Sequence, residues 1–217
     1  MRKENRKKFC VAVCMLTAFV LWTVLVSVVD VQGIGPEGST VGFARMNGWI
    51  HNVTGVHMFL YTATDWLSLI PLGFVLGFAL LGLVQWMGRK SLLKVDYSIL
   101  VLGGFYLVVI AVFAFFETFV VNYRPVLIEG ILEASYPSST TMLVMCVMPT
   151  AGMQLNARIK NEVLRRRVAA AIAVFTVCMV AARLLSGVHW FSDIIGGALL
   201  STGLVMLYGL ISSLEGQ

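Results

Sequence analysis

The sequence predicts an all-α integral membrane protein: a six-transmembrane-helix bundle with an amphipathic helix in the outer interface, built as one domain over residues 1–217. Composition is the first reason. The chain is 59% hydrophobic and only 12% charged, with a mean hydropathy of +0.87, which is far too apolar for a soluble domain of this length. The second reason is that the basic residues gather in the segments flanking alternate apolar runs, as a membrane topology requires.

Set against the roughly 20 residues needed to cross a bilayer, the apolar runs give six spans, at residues 9–29, 67–86, 97–121, 140–155, 168–185 and 194–212. The first follows a basic tail, residues 1–8, but its apolar run is long and has no small-residue cleavage site before Asp30. It reads as an uncleaved signal anchor rather than a signal peptide. The fourth is short and contains Pro149, so a kink or local thinning of the bilayer is expected there.

Charge sets the orientation. Arg2, Lys3, Arg6, Lys7 and Lys8 precede the first span, Arg89, Lys90 and Lys94 join the second to the third, and Arg158, Lys160, Arg165, Arg166 and Arg167 join the fourth to the fifth. All three segments are expected on the cytoplasmic side of a bacterial inner or plasma membrane, with both termini inside. The outer segments, residues 30–66 and 122–139, then hold Arg45 and Arg124, and Arg183 closes the fifth span on the same side. The net charge of +5 thus reports topology, and no nucleic-acid partner is expected.

Cys10, Cys14, Cys146 and Cys178 fall within or beside apolar spans and share no ligand spacing with histidine, so buried thiols are expected rather than a zinc site or disulfides. In the first outer segment, Phe43, Met46, Trp49, Ile50, Val53, Val56 and Leu60 recur at helical spacing. Such an interfacial helix either guides a lipid toward the site or covers the bundle. His51 and His57 read as interfacial residues rather than ligands, and Asp65 as a cap or a partner within the bundle.

Chemistry is concentrated at Arg183-Leu-Leu-Ser-Gly-Val-His189-Trp-Phe-Ser-Asp193. Ionisable residues beside a span are expensive and functional by default. If residues 189–193 form a helical turn, His189 and Asp193 share a face, and the carboxylate can hold one imidazole N–H and free the other nitrogen as a nucleophile. Arg183 offers a planar fork of donors suited to a phosphate. On the same side, Arg124-Pro125 supplies a second guanidinium. Pro137-Ser138-Ser139 opens the fourth span with free N–H groups, a capping hydroxyl and the positive end of a helix dipole. Gly187 permits close approach of one more backbone N–H to the same anion.

These residues resemble the type 2 phosphatidic acid phosphatase family, whose pattern is Lys-x6-Arg-Pro, Pro-Ser-Gly-His and Ser-Arg-x5-His-x3-Asp. The third part matches at Arg183, His189 and Asp193, with Ala182 in place of serine. The second matches at Pro137 and Ser138, with Ser139 for glycine and Thr140 for histidine. The first matches at Arg124 and Pro125, with Glu117 where lysine is expected.

The resemblance implies a membrane-bound hydrolase acting on a lipid phosphate or diphosphate at the outer leaflet, with no cofactor and no metal. His189 would attack phosphorus to form a phosphohistidine and Asp193 would orient it. Arg124, Arg183 and backbone groups near Ser138 and Ser139 would hold the phosphoryl oxygens. Thr140 stands where the family keeps the histidine that protonates the leaving oxygen, and a threonine hydroxyl cannot take that role. A diphosphate, which expels a phosphate group with a last pKa of about 6, needs little protonation, so polyprenyl diphosphate is the favoured substrate. Glu117 is read as a partner of Arg124 or as facing elsewhere; the alternative is a buried, protonated carboxyl that donates the missing proton. Two other classes remain: a phosphotransferase that passes the group to another lipid or sugar, and a catalytically impaired protein that binds or transports lipid phosphates.

Overall fold

The computed structural model describes residues 3–213, so Arg2 of the basic tail lies outside the described residues. Its regular structure is helical throughout, apart from isolated β-bridges. Five segments are long and apolar enough to cross a membrane: Asn5–Val28, Met58–Arg89, Tyr97–Thr118, Glu162–Leu185 and Phe191–Ser212.

The first span lies in α1 (Lys3–Val28), which packs along α8 (Phe191–Ser212), the most enclosed of the five. Helix α6 (Ser139–Arg158) is surrounded by α4 (Leu69–Arg89), α5 (Tyr97–Thr118), α7 (Glu162–Leu185) and α8. That enclosure explains its composition. Thr140, Thr141, Thr150 and Gln154 are all buried, which hydrocarbon would penalise but neighbouring helices can satisfy. The Thr150 hydroxyl donates to the Cys146 carbonyl at 2.8 Å, and Gln154 Nε2 donates to the Ser98 carbonyl at 3.1 Å. Helix α6 runs through Pro149 as one element.

The outer segment departs from the expected single helix. Amphipathic α2 (Ala44–Thr54) stops at Gly55, whose φ of 67° only glycine adopts easily, and α3 (Met58–Leu67) then starts and runs into α4. The interfacial pattern therefore divides at Gly55. Its second part opens the span Met58–Arg89, nine residues ahead of the expected start at residue 67. The apolar residues Met58, Phe59, Leu60, Trp66 and Leu67 account for the extension.

Cysteine placement is also corrected. Cys146 is buried, but Cys10, Cys14 and Cys178 are exposed on the outer faces of α1 and α7. Apolar spans read as core by composition alone, although a lipid-facing surface is equally apolar.

Candidate active site

The site is assembled where the start of α8, the end of α7, the start of α6 and the loop after α5 meet. Asp193 sits in the first turn of α8, fully buried, with every oxygen engaged. Its Oδ2 accepts from the Trp190 backbone N–H at 3.0 Å and from the Ser135 hydroxyl at 2.5 Å. Its Oδ1 accepts from Asn122 Nδ2 at 3.0 Å and, more weakly, from the Ser192 hydroxyl at 3.4 Å. The bond to Trp190 is one arm of a capping box, which explains an acid at this position on local grounds.

His189 therefore stands outside α8, whose N-cap is Trp190, and the expected turn over residues 189–193 does not form. The carboxylate does not reach the imidazole. The hydroxyl of Ser135 lies between them, 2.9 Å from His189 Nδ1. The other ring nitrogen, Nε2, is buried and has no hydrogen-bond partner. Burial, followed by the charges of Arg124 and Arg183, holds His189 well below the usual histidine range, while a contact with the Ser135 backbone works the other way.

Arg183 closes α7 and is 1% exposed. Placing a guanidinium within a bundle costs about 2.5–3.5 kcal/mol on insertion scales unless partners compensate, and α3 supplies them. Nη1 donates to the Thr64 hydroxyl at 3.0 Å, and Nη2 lies 3.9 Å from Asp65. The face of the Tyr61 ring lies 4.7 Å from the guanidinium carbon. Asp65 is thus a partner within the bundle, as expected. Arg183 Nε is left without a partner.

Arg124 is 8% exposed, and its guanidinium carbon lies 5.9 Å from the centroid of the same Tyr61 ring. Its ion-pair partner is Glu133, at 3.1 Å from Nε, and not Glu117. The pair is too poorly aligned to form a hydrogen bond, so Nε and Nη1 both remain unpartnered. Glu117, in the last turn of α5, lines a polar cavity of about 500 Å³ with Glu133, Arg124, Tyr123 and Ser139.

Ser138 caps α6, accepting weakly from Thr141 N at 3.5 Å, and its own N–H donates to the Asp193 carbonyl at 3.1 Å. The starts of α6 and α8 are thereby tied together. Ser139 opens the helix, and Thr140 is buried in its first turn. Gly196 makes this approach possible, since a Cβ there would fall 2.5 Å from the Tyr136 ring. Gly187 differs from expectation: its N–H is engaged by the Leu184 carbonyl at 3.2 Å. Its φ of 68° and the Gly55 carbonyl, 2.0 Å from an added Cβ, are what require glycine. The His51 ring packs against Trp190 at a tilt of 55°, with ring centroids 5.4 Å apart. His57 Nε2 lies 2.9 Å from the Thr54 carbonyl, and no cluster of metal-ligating residues occurs among the described residues.

Sequence reasoning missed Ser135, Asn122, Asn47 and Tyr61. Asn47 and Asn122 hold the first turn of α8 through Ser192: Asn47 Nδ2 donates to its hydroxyl at 2.9 Å, and Asn47 Oδ1 accepts its N–H at 3.1 Å. Asn122 Nδ2 lies 3.3 Å from the same hydroxyl. Only the clustering of Ser135 beside Tyr136-Pro137-Ser138 offered a signal, since the asparagines act from separate segments.

Residues 108–214 match the family model of the PAP2 superfamily. The fold is similar to that of a transmembrane PAP2 type phosphatidylglycerolphosphate phosphatase from Bacillus subtilis. The TM-score is 0.60 at 18% identity, covering 91% of this chain and 94% of that one. No curated protein matches the chain.

Proposed function

This chain belongs to the PAP2 superfamily through residues 108–214, and we propose that it is a membrane lipid phosphatase working through a phosphohistidine at His189. The coarse reading, a membrane phosphoric ester hydrolase acting on a lipid phosphate, follows from the family. One observation supports the finer mechanism: four buried polar atoms make no hydrogen bond, namely His189 Nε2, Arg183 Nε, and Nε and Nη1 of Arg124, of which Nε meets only the Glu133 ion pair. Unsatisfied buried groups are rare and need an explanation. One bare acceptor among several cationic donors matches a nucleophile facing a phosphoryl group.

In this mechanism the Nε2 lone pair forms the N–P bond as the P–O bond to the leaving oxygen breaks and keeps its electron pair. Arg124 and Arg183 stabilise the charge on the equatorial oxygens. Water then displaces Nε2 and releases phosphate. Over both steps water supplies a hydroxyl to phosphorus and a proton to the leaving oxygen. The N–H groups of Ser139 and Thr140 at the start of α6 add donors for the anion.

Thr140 supplies no acid of useful pKa, which favours a leaving group that is stable as an anion. Polyprenyl diphosphate, which expels a phosphate monoester, is accordingly the preferred substrate, ahead of phosphatidic acid or phosphatidylglycerol phosphate. The topology that fits is six spans, with enclosed α6 as the sixth, both termini cytoplasmic and the site at the outer leaflet. Lipid tails then reach the site from the membrane plane, and no metal is needed.

The test is phosphate release by the purified protein in detergent with a chelator present, comparing polyprenyl diphosphate with phosphatidic acid. Release that His189→Ala abolishes and that is faster with the diphosphate supports both levels. Release indifferent to His189 overturns the mechanism. Turnover that requires an added lipid or sugar acceptor makes the protein a transferase.

A further inference from the structure

Ser135 is buried in the loop before α6, at 2% exposure, and its hydroxyl touches both His189 and Asp193. From this geometry we infer that Ser135 is the positioning residue of the site: a hydroxyl relay that couples Asp193 to His189 and fixes the imidazole as its Nδ1–H tautomer. The inference rests on the proposed role of His189 as nucleophile.

Proton accounting on the observed distances supports it. A carboxylate offers about four acceptor positions and no donor, and Asp193 is met by four donors: Ser135, Trp190 N–H, Asn122 and Ser192. With all of those positions met by donors, no acceptor position is left on Asp193 to carry a proton of its own. At 2.5 Å, the Ser135 contact is the shortest of the four, in the range of a charge-assisted O–H···O⁻ bond. The single hydroxyl proton of Ser135 therefore points at Asp193, and its oxygen can only accept from the imidazole at 2.9 Å. Nδ1 must then carry the ring proton. In the neutral ring this leaves the lone pair on Nε2, the buried nitrogen with no partner.

When Nε2 forms its bond to phosphorus and the leaving oxygen departs with its electron pair, the ring becomes cationic while Nδ1 keeps its proton. No proton needs to pass along the relay. The growing charge is met by Ser135 Oγ, which is polarised by the ionised Asp193 behind it. The sequence pairing of His189 with Asp193 thus works through a third residue 54 positions before the histidine. Ser135 is in turn located by its backbone N–H, which donates to the Asn122 carbonyl at 2.9 Å. Asn122 also holds Asp193, so one asparagine registers the hydroxyl against the carboxylate.

The experiment compares wild type, Ser135→Ala and Ser135→Thr by phosphate release across pH and by nitrogen NMR of histidine-labelled protein, with the His189 signals identified as those lost in His189→Ala. In the wild type, His189 should show a protonated Nδ1 and a bare Nε2. Ser135→Ala should lose roughly 10–100-fold in kcat with KM changed less than threefold, as expected when a reacting group loses its alignment, and its ring should become a mixture of tautomers. Ser135→Thr, which keeps the hydroxyl, should recover most of the rate and the wild-type signal. Wild-type kcat and an unchanged tautomer in Ser135→Ala would overturn the relay. An Nε2–H tautomer in wild type would do so even if the alanine variant failed to fold. Wild type that releases no phosphate, or release independent of His189, would defeat the phosphatase reading while the NMR comparison still decided the relay.

Discussion

The Arg183 guanidinium carbon lies over the phenol ring of Tyr61, 4.7 Å from its centroid, so a residue of α3 sits beneath a charge carried by α7. The centroid of the same ring lies 5.9 Å from the Arg124 guanidinium carbon, so both guanidinium groups neighbour one aromatic side chain. Tyr61→Leu keeps the bulk and removes the quadrupole. With cation–π contacts worth ~0.5–2 kcal/mol, kcat/KM should fall about 3–30-fold, mainly through KM. Steady-state kinetics on the preferred lipid checks this, and an unchanged KM would mean that the ring only packs.

His189 gives a pH prediction of definite sign. Burial and the two arginines depress its affinity for a proton, so the ring stays neutral below the ~6.5 at which an ordinary histidine charges. The acid limb of kcat/KM should therefore lie below pH 6.5 rather than at it. The linked stability runs in the same direction. Between the unfolded value and the depressed folded one, the unfolded chain binds the proton that the folded chain refuses, so stability falls as pH falls through that window. Thermal melts from pH 7.5 to 5 should show the decline, and His189→Gln should flatten it.

Glu133 places a carboxylate 3.1 Å from Arg124 Nε, on a side of the guanidinium that a phosphoryl oxygen would use. Its side chain is 40% exposed, so the pair is screened and holds Arg124 only weakly. Glu133→Gln removes the competing charge and keeps the shape. Inhibition by inorganic phosphate should become about 2–10-fold stronger. Weaker inhibition would instead show that Glu133 positions Arg124 for the anion.

Much of the helical layout was legible because long apolar runs leave a bilayer few alternatives. What composition could not separate was lipid-facing from inward-facing apolar surface, hence the misplaced cysteines. It also could not show that Gly55 breaks the outer helix, because amphipathic spacing continues smoothly across it. In the site, the spacing of Arg183, His189 and Asp193 singled out residues that the structure brings to one region, but not their contacts. An i, i+4 pair meets only inside a helix, and α8 begins after His189. Ser135 and Asn122 were illegible for a different reason: each acts across more than fifty residues of chain, where periodicity carries no information.

Glu117 supplies the sharpest remaining contrast, because the sequence resemblance expects a lysine at its position and it is not the ion-pair partner of Arg124. It shares the polar cavity with Glu133 and Ser139, beside the start of α6, where the sequence resemblance expects a histidine and Thr140 stands. If Glu117 donates a proton to the leaving oxygen, Glu117→Gln should lower kcat at least tenfold on phosphatidic acid and far less on polyprenyl diphosphate, whose leaving group needs no acid. Glu117→Lys introduces the residue that the resemblance expects and adds a positive charge at the cavity, so it should lower KM for both substrates without rescuing the monoester rate. Measuring both variants on both lipids separates these effects. Changes of no more than a few fold throughout would remove Glu117 from the chemistry and leave water as the proton source.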